Sequence, residues 1–359
     1  MESVRYLRDS GNEVLVIAPG EGPTEFLGVE IVRVPSLAVD SIAQVDLPVI
    51  SKKQALATLY KFQPDVIHLA SPFILGERIR KVGQKLGIPV VANYQTDVSG
   101  FVKYYKLKTA EKMVVKRLRK IHAKSTITLA PSTASINWLS SIGVTNVLRW
   151  GRGVDHTRFN PQWRSVELRG EWAVNDKTCV VGFVGRLAPE KQVEKLALLK
   201  DLENLADREI KFVIVGDGPS RKLLAKQLPQ AIFTGHLGGV DLSRTMASFD
   251  VLVTTGENET FCQVIQEAMA AGVPVVAPEI GGPVDLIKSG ETGFLYKPGG
   301  NKSIRQAVLK VIKNETERRA MGERALATVE NCSWSSVCSE LIPIYKRAIA
   351  VNAHGQKQE

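Results

Sequence analysis

The chain has 359 residues, which exceeds what one hydrophobic core usually supports, so its length predicts two domains. Its hydrophobic content is 44% and its charged content is 23%, as in ordinary globular proteins. No apolar run reaches the roughly 18 to 20 residues of a membrane-spanning helix, and the first residues lack the apolar core of a signal peptide. The four cysteines are scattered without a CxxC, which favours reduced thiols over a disulfide or zinc site. We therefore expect a cytoplasmic protein.

The net charge of +10 is unevenly distributed. Residues 1–157 hold 21 Lys and Arg against 13 Asp and Glu, whereas the remaining residues hold 26 against 24. The basic excess therefore belongs to the first half. It suggests a polyanionic partner, which could be a membrane surface, a phosphorylated acceptor or a nucleic acid.

Short apolar runs alternate with helical patterns along the whole chain, which predicts an α/β fold with parallel sheets. The runs lack alternation, as expected for strands buried on both faces. In the first half we predict strands at Glu13–Ala18, Asp65–Ala70, Pro89–Tyr94 and Thr126–Ala130, and helices at about 51–62, 75–86, 108–124 and 133–142. In the second half we predict strands at Cys179–Val184, Lys211–Val215, Ala231–Thr234, Asp250–Thr254, Val273–Ala277 and Gly293–Tyr296.

Glycines follow most of the second-half strands. They are Gly185, Gly216, Gly218, Gly235, Gly256, Gly281 and Gly282. In doubly wound sheets ligands bind beyond the carboxyl ends of the strands, where glycine lets backbone approach a phosphate. The series predicts a nucleotide site in this half. A cluster of Gly, Pro and polar residues at 151–161 marks the domain boundary.

Two glutamates stand out after the predicted strand that ends near Thr254. Glu259 precedes a helix that we expect to begin near Phe261, and Glu267 is expected about two turns inside it. Carboxylates so placed can hold vicinal hydroxyls through charge-assisted hydrogen bonds. The alternative is that Glu259 caps the helix and Glu267 is a solvated surface acid.

The surrounding sequence resembles a known family. Glu259, seven residues and then Glu267-Ala-Met-Ala-Ala-Gly-Val-Pro-Val-Val is similar to the signature of family 4 of the retaining glycosyltransferases. The resemblance implies the GT-B fold, in which two Rossmann-like domains face a cleft. It implies that Glu259 contacts the donor sugar and Glu267 the nucleotide ribose. Backbone amides of Thr260, Phe261 and Cys262 would face the sugar or the phosphates.

A second segment supports the resemblance. Gly182–Lys191 resembles the family's diphosphate-binding strand and loop, and Arg186 and Lys191 could neutralise the leaving diphosphate. The alternative is a pair of exposed bases beside a turn. Gly185, Gly216 and Gly218 fall in matching donor-side loops, and His236 lies in a segment whose backbone contacts the base in relatives.

The resemblance divides the chain into an N-terminal domain (1–155), a donor-binding domain (156–332) and a helix that returns to the first domain (333–351). On the acceptor side it points to His68, Gln95 and Asp97. Gln95 stands where relatives often have a His that contacts the reacting sugar. His68 is equally well explained as a hydrogen-bonded structural histidine.

The family's first strand and its glycine loop have no counterpart in the sequence, because residues 1–8 resemble the middle of the helix that follows them. We therefore expect the N-terminal domain to be truncated. We also expect a chain longer by roughly 20 to 30 residues to be more stable and more active.

The segment 106–124 carries eight Lys and Arg and one acid, Glu111. Val114, Val115, Leu118 and Ile121 can form one apolar face. The pattern is typical of a basic amphipathic helix that lies on an anionic bilayer. Such a helix would place the protein at the inner face of the cell membrane. The alternative is a solvated helix packed on its own sheet.

The resemblance implies a hexosyltransferase that works with retention and without a cofactor or an essential metal, its nucleotide sugar being a substrate. Tyr94–Asp97 and Glu259–Gln263 are similar to actinobacterial mannosyltransferases that use GDP-mannose and act on glycolipids. We expect mannose transfer to a lipid or glycan acceptor. The alternatives are a UDP-sugar glycolipid synthase (glucosyl or sulfoquinovosyl) and an inactive truncated remnant. A nucleic-acid-binding protein is disfavoured because no RNA or DNA motif accompanies the basic half.

Overall fold

The computed structural model of the chain describes residues 1–37, 47–48, 51–95, 108–175, 177–206 and 208–356. The described residues of the N-terminal half form an α/β domain. Its strands are β1 Val16–Pro19, β2 Glu25–Phe26, β3 Val29–Val34, β4 Ser36–Leu37, β5 Leu47–Pro48, β6 Ile67–Leu69, β7 Val90–Asn93, β8 Ile127–Ala130 and β9 Val147–Arg149. Its helices are α1 Glu2–Asp9, α2 Lys52–Phe62, α3 Ile74–Lys85, α4 Lys108–Ala123 and α5 Thr133–Ser141.

The strands of this half fall into separate sheets within the described residues. β6, β7, β8 and β9 form a four-stranded parallel sheet in that order. β1 pairs in parallel with β3, whose other edge pairs antiparallel with β2. The helix α1 precedes β1, as the pattern of the first 18 residues predicts.

The C-terminal half contains one six-stranded parallel sheet. Its strands are β10 Thr178–Val184, β11 Glu209–Val215, β12 Ile232–Gly235, β13 Val251–Val253, β14 Val275–Pro278 and β15 Gly293–Tyr296. The helices are α6 Val166–Glu171, α7 Glu203–Ala206, α8 Arg221–Gln227, α9 Gly239–Ala247, α10 Gln263–Ala270, α11 Pro283–Leu286, α12 Asn301–Ile312 and α13 Glu315–Val329, with 3₁₀ turns at Pro161–Trp163, Pro189–Lys191 and Val193–Leu199.

The strand order is β12-β11-β10-β13-β14-β15, which is the order of a Rossmann fold. The strands are rich in β-branched and aromatic residues. Apart from the half-buried edge strand β12, most of their side chains are buried, and two hydrophobic clusters flank the sheet. The order reverses between β10 and β13. The crevice at their carboxyl ends is the usual ligand site of such a sheet.

The chain ends in two helices that return to the N-terminal half, α14 Trp334–Ser339 and α15 Leu341–Gln356. The sequence pattern predicts one helix from about Ser333 to Ala350, and the structure divides it at Glu340. Tyr345 and Ala348 pack with Val91 and Leu129 of the parallel sheet. The indole of Trp150 donates to the Val337 carbonyl at 2.9 Å, so these helices join the halves.

Helix α4 packs its apolar face on its own sheet. Leu118 and Ile121 are buried, and Val114 packs beside Leu118. The prediction that this face is available to a bilayer is therefore wrong for Leu118 and Ile121, because the domain core needs them. The outward face is basic, and Lys112, Lys116, Arg117 and Lys120 are exposed on it. Among the described residues, no helix is both long enough and apolar enough to span a bilayer.

Candidate active site

The reversal of strand order in the C-terminal sheet brings two loops together. Gly185 and Arg186 directly follow β10, and the Glu257–Glu259 segment follows β13. Because β10 and β13 are neighbours, residues that lie about 70 positions apart in the chain meet at one edge. This edge faces the N-terminal half.

Lys191 and Glu259 form an ion pair across this edge, with Nζ and Oε1 2.5 Å apart. Lys191 ends the 3₁₀ turn Pro189–Lys191, and both side chains are largely buried. Burial acts to lower the pKa of Lys191, but the Glu259 carboxylate outweighs it, so the pKa is raised. The ammonium stays charged, and its remaining N–H groups are oriented by the pair.

Arg186 makes a separate ion pair with Glu190, four residues further on, and its side chain is half exposed. Each of the two predicted cations therefore lies beside its own carboxylate. These carboxylates offset part of the positive charge of Arg186 and Lys191. A doubly charged diphosphate that reached this edge would meet cations whose positions are already fixed.

The glycines that follow the strands allow the loops to pack against each other. A Cβ on Gly216 would overlap the Gly185 carbonyl oxygen, and one on Gly218 would overlap that of Leu187. Both glycines have positive φ, +129° and +153°. Their role in loop packing is a structural reason for glycine that the sequence analysis did not consider. His236 is exposed beyond β12 at the same edge.

Helix α10 begins at Gln263, two residues later than predicted. Its N-cap is Cys262, which has the left-handed values φ 70° and ψ 70° that a residue with a Cβ seldom adopts. Within the ranges that the structure describes, no hydrogen bond from the amides of Thr260, Phe261 or Cys262 is found. Donors left over at a helix N-terminus attract anions. Burial raises the pKa of Cys262, so its thiol is unreactive.

Glu267 is the fifth residue of α10, about one turn from its start and not two as predicted. It is half-buried, so it is not a solvated surface acid. Burial raises the pKa of Glu267 to about 7, while Arg158 and Arg152 act to lower it. The carboxyl is therefore available as a hydrogen-bonding group in either protonation state near neutral pH.

Arg152 connects the two halves at the cleft and was missed as a site residue by the sequence analysis. Its Nε donates to Gln263 Oε1 at 3.1 Å and its Nη1 to Gln95 Oε1 at 3.3 Å. Its guanidinium lies 5.7 Å from the ring centre of Trp334. The only sequence signal is its place in the boundary turn Gly151–Gly153.

Gln95 lies where the two halves meet. Besides its contact with Arg152, its carbonyl accepts from Thr260 Oγ1 at 2.7 Å. Asp285 makes a second contact between the halves. Its Oδ2 accepts a hydrogen bond from the Thr133 amide at 2.6 Å and lies 3.4 Å from Arg149 Nη2. Gln95 is thus close to the predicted donor loop. Asp97 lies outside the described residues.

The contacts of His68 favour a structural role. Its Nδ1 lies 2.5 Å from the Tyr345 hydroxyl, and its ring makes edge contacts with Trp150 and Tyr345. Burial lowers the pKa of His68 to about 4, against the effect of Asn93. The neutral ring connects β6 to α15, which agrees with the alternative that His68 is a hydrogen-bonded structural histidine.

No cluster of three His, Cys, Asp or Glu that could hold a metal ion occurs in the described part of the chain. The prediction that no metal is essential stays a prediction.

Comparison with known proteins decides the family. Residues 1–158 match the model of Glycosyltransferase Family 4, and residues 165–328 match that of Glycosyl transferases group 1. A GDP-mannose-dependent alpha-mannosyltransferase of Corynebacterium glutamicum is 41% identical over 354 residues, which are 97% of this chain and 84% of that protein. The chain belongs to glycosyltransferase family 4. The resemblance drawn from Glu259, Glu267 and the Arg186–Lys191 loop is confirmed.

Two further relatives and one solved structure support the assignment to glycosyltransferase family 4 and to its fold. A protein of the same name from Mycolicibacterium smegmatis is 43% identical over 353 residues, covering 96% of this chain and 92% of that one. The sulfoquinovosyl transferase of Arabidopsis thaliana is 33% identical over 348 residues, covering 94% and 68%. Sucrose-phosphate synthase from Thermosynechococcus elongatus superposes with a TM-score of 0.74 at 18% identity, covering 97% of this chain and 92% of that one. The predicted GT-B fold is confirmed.

Proposed function

We propose that this enzyme transfers mannose from GDP-mannose to a lipid or glycan acceptor with retention at the anomeric carbon. The observation that carries the proposal is the Lys191–Glu259 pair at the switch point, with Arg186 on the same edge and Glu267 on the helix that follows Glu259. The donor assignment rests on the names of the two mannosyltransferases that share 41% and 43% identity with the chain.

In the proposed reaction, the bond between mannose C1 and the β-phosphate oxygen breaks and GDP keeps the electron pair. Arg186 and Lys191 stabilise the charge that develops on the diphosphate, together with the amides at the start of α10. Glu259 accepts hydrogen bonds from the sugar hydroxyls, and Glu267 from those of the ribose. The proposed reaction uses no metal ion.

Glu259 and Glu267 both have binding roles in this scheme, so we place the acceptor on the face that GDP leaves. The acceptor oxygen bonds to C1 within an ion-pair-like state, and its proton passes to the departing diphosphate oxygen. This route retains configuration without a covalent glycosyl-enzyme, whose formation needs a carboxylate at the opposite face of the sugar. Gln95, which contacts Thr260 of the donor loop, lies on the acceptor side.

The alternative is a UDP-sugar-dependent glycolipid synthase. It is supported by the 33% identity to the sulfoquinovosyl transferase. Backbone atoms around His236 would contact the nucleotide base. Because backbone contacts do not depend on side-chain type, the sequence there does not distinguish guanine from uracil. The higher identity to the mannosyltransferases favours GDP-mannose.

We also propose that the enzyme works at the inner face of the membrane and is held there by charge. The support is the outward face of α4, whose exposed bases include Lys112, Lys116, Arg117 and Lys120. Its apolar face is committed to the core, so attraction to anionic lipids would be electrostatic and weakened by salt.

A transfer assay with GDP-[¹⁴C]mannose and actinobacterial membrane lipids tests the proposal. We expect label in the lipid or glycan fraction, in α linkage, with GDP as the second product and unchanged yield in EDTA. Transfer from UDP-glucose or UDP-sulfoquinovose, and not from GDP-mannose, would replace the proposal by its alternative. Turnover of no nucleotide sugar would favour the inactive remnant.

A further inference from the structure

Asp285 belongs to the short helix α11 of the C-terminal half, but its carboxylate contacts the N-terminal half. Its Oδ2 accepts a hydrogen bond from the Thr133 amide at 2.6 Å and lies 3.4 Å from Arg149 Nη2. The side chain of Asp285 is only 12% exposed, so the carboxylate is largely withdrawn from water. A hydrogen bond from an amide to a carboxylate is charge-assisted and stronger than one between two neutral groups.

Thr133 is the first residue of α5, a helix of nine residues whose N-cap is Ser132. The Ser132 hydroxyl accepts from the Ser135 amide at 3.2 Å and so satisfies one free amide of the first turn. Asp285 satisfies another, and its negative charge lies at the positive end of the helix. A helix of one half is therefore capped in part by a side chain of the other half.

The segment that carries Asp285 packs directly on the donor loop around Glu259. The Gly282 amide donates to the Glu259 carbonyl at 2.8 Å, and the Asp285 amide donates to the Gly282 carbonyl at 3.1 Å. A Cβ on Gly281 would lie 2.4 Å from the Glu259 oxygen, and one on Gly282 would lie 2.4 Å from Phe261 Cα. Because the two loops are in such close contact, a displacement of Asp285 would also displace the backbone of Glu259.

The N-terminal half reaches the same loop at two further points. The Thr260 hydroxyl donates to the Gln95 carbonyl at 2.7 Å, and the Ser135 hydroxyl lies 3.5 Å from the Thr260 carbonyl oxygen. Both contacts join neutral groups, and the second is at the upper limit of a hydrogen bond. The contact of Asp285 carries a full charge and is short, so it is the strongest of the three.

We propose that Asp285 is a positioning residue of the transfer reaction, which fixes the donor loop against α5 and thereby sets the distance between the donor sugar and the acceptor. The proposal rests on the transferase function, in which Glu259 holds the sugar and the N-terminal half faces the acceptor. Asp285 touches no substrate in this scheme and acts through the backbone of Glu259. Reactants that are held in a fixed geometry react faster, and a small misplacement slows the reaction strongly.

Thr133→Pro tests the contact from the N-terminal half. Proline has no N–H, so the donor to Asp285 is lost, whereas the first position of a helix tolerates proline well. Ser132 already has the extended values φ −146° and ψ 160° that a residue before proline prefers. Thr133→Ala keeps the amide and controls for the side chain. Val166→Pro places proline at the first position of α6, where Val166 is exposed, and controls for proline itself.

Asp285→Ala and Asp285→Asn test the contact from the C-terminal half. Alanine removes the acceptor, whereas asparagine keeps an uncharged oxygen and should restore part of the loss. We expect Asp285→Ala and Thr133→Pro each to lower kcat about tenfold, with Asp285→Asn between them and the unmodified chain and both controls within about twofold of it. The Kd for GDP-mannose should stay within about threefold, because the groups assigned to the donor remain in place. Since both changes remove the same contact, the double variant should lose no more than the larger single loss.

A distance measurement tests the fixed arrangement without relying on turnover. Nitroxide labels on Ala57→Cys in α2 and Lys302→Cys in α12 report the orientation of the two halves by double electron–electron resonance. Both positions are exposed, and a Cys332→Ser background is used because the other three cysteines are buried. We expect a broader distance distribution in Asp285→Ala and Thr133→Pro, and an unchanged one in Thr133→Ala and Val166→Pro.

Full transfer activity in Asp285→Ala and Thr133→Pro would overturn the proposal. Losses of equal size in the two controls, or additive losses in the double variant, would overturn it as well. An unmodified chain that transfers nothing from GDP-mannose would defeat the transferase function instead. The distance distributions would then still decide whether Asp285 fixes the two halves, and unchanged distributions in its variants would defeat that role too.

Discussion

The two walls of the cleft differ in how they use charge. On the C-terminal wall, charged groups are paired and fixed, as in Lys191 with Glu259 and Lys195 with Glu257. On the N-terminal wall, a cavity of about 130 Å³ beside Gln95 is lined by uncharged residues, and Lys112, Lys116 and Lys120 are exposed on the outer face of α4. Fixed ion pairs suit a donor that carries a charged diphosphate. Net charge alone placed the polyanion partner in the first half and did not show that the ion pairs at the cleft belong to the second half.

The largest effect should come from the charged wall. We predict that Lys191→Ala lowers kcat by about 10² to 10³, because one preorganised group that stabilises developing charge is lost. Steady-state kinetics with GDP-mannose measure it. Lys195→Ala removes the neighbouring ion pair of the same length and serves as the matched control, with a loss below tenfold. Equal losses in both variants would show that fold stability, and not the leaving group, is affected.

The outer bases should control membrane binding and not chemistry. Replacing Lys112, Lys116, Arg117 and Lys120 by Ala should weaken binding to anionic vesicles roughly fivefold for each base, at about 1 kcal/mol per charge. Vesicle co-sedimentation at two salt concentrations measures it. A control in which exposed C-terminal bases are replaced, Lys222, Lys226, Lys302 and Lys313, should bind as before. Unchanged binding of the first variant would refute the membrane surface.

The link between the walls should show an intermediate effect. Arg152→Lys keeps the charge but loses the planar fork that reaches Gln95 and Gln263, so we expect kcat/KM to fall about tenfold. A double-mutant cycle with Gln95→Ala should give a coupling energy of about 0.5 to 3 kcal/mol. Additive effects would mean that Arg152 and Gln95 act independently.

The smallest effect should be a pH dependence set by Glu267. Since its pKa is raised to about 7, the acceptor carboxylate forms as pH rises through 7, and GDP affinity should rise severalfold with it. The sign for stability is opposite. A raised carboxyl pKa means that stability is highest at acid pH and declines as pH rises from the unfolded value, near 4.5, through 7. Glu267→Gln should flatten both profiles, which calorimetry at several pH values can check. Two unchanged profiles would contradict the assignment.

The sequence predicted the donor half better than the acceptor half for a physical reason. Strands β10 to β15 are continuous apolar runs, so their positions were predicted within two residues. The alternation of strands and helices predicts that the strands are parallel, but it does not predict their order in the sheet. Glu259 and Glu267 lie in one loop and the helix that follows it, so a short continuous motif was enough to identify them. The link from Arg152 to Gln95 and the contact of His68 with Tyr345 join distant segments, and no local pattern contains them.

The same limit applies to α4. Its apolar face could pack on a bilayer or on a sheet, and the 3.6-residue period is identical for both. Only the burial of Leu118 and Ile121 distinguishes them.

The most direct test of the donor assignment is a thermal-shift screen of the full chain against GDP-mannose, UDP-glucose and ADP-glucose. A ligand that binds only the folded state raises Tm. At a ligand concentration a hundredfold above Kd, it increases the free energy of unfolding by about 2.7 kcal/mol. The account predicts a shift with GDP-mannose that exceeds the other two and is lost in Glu267→Ala. No shift with any nucleotide sugar, or a larger one with UDP-glucose, would contradict it.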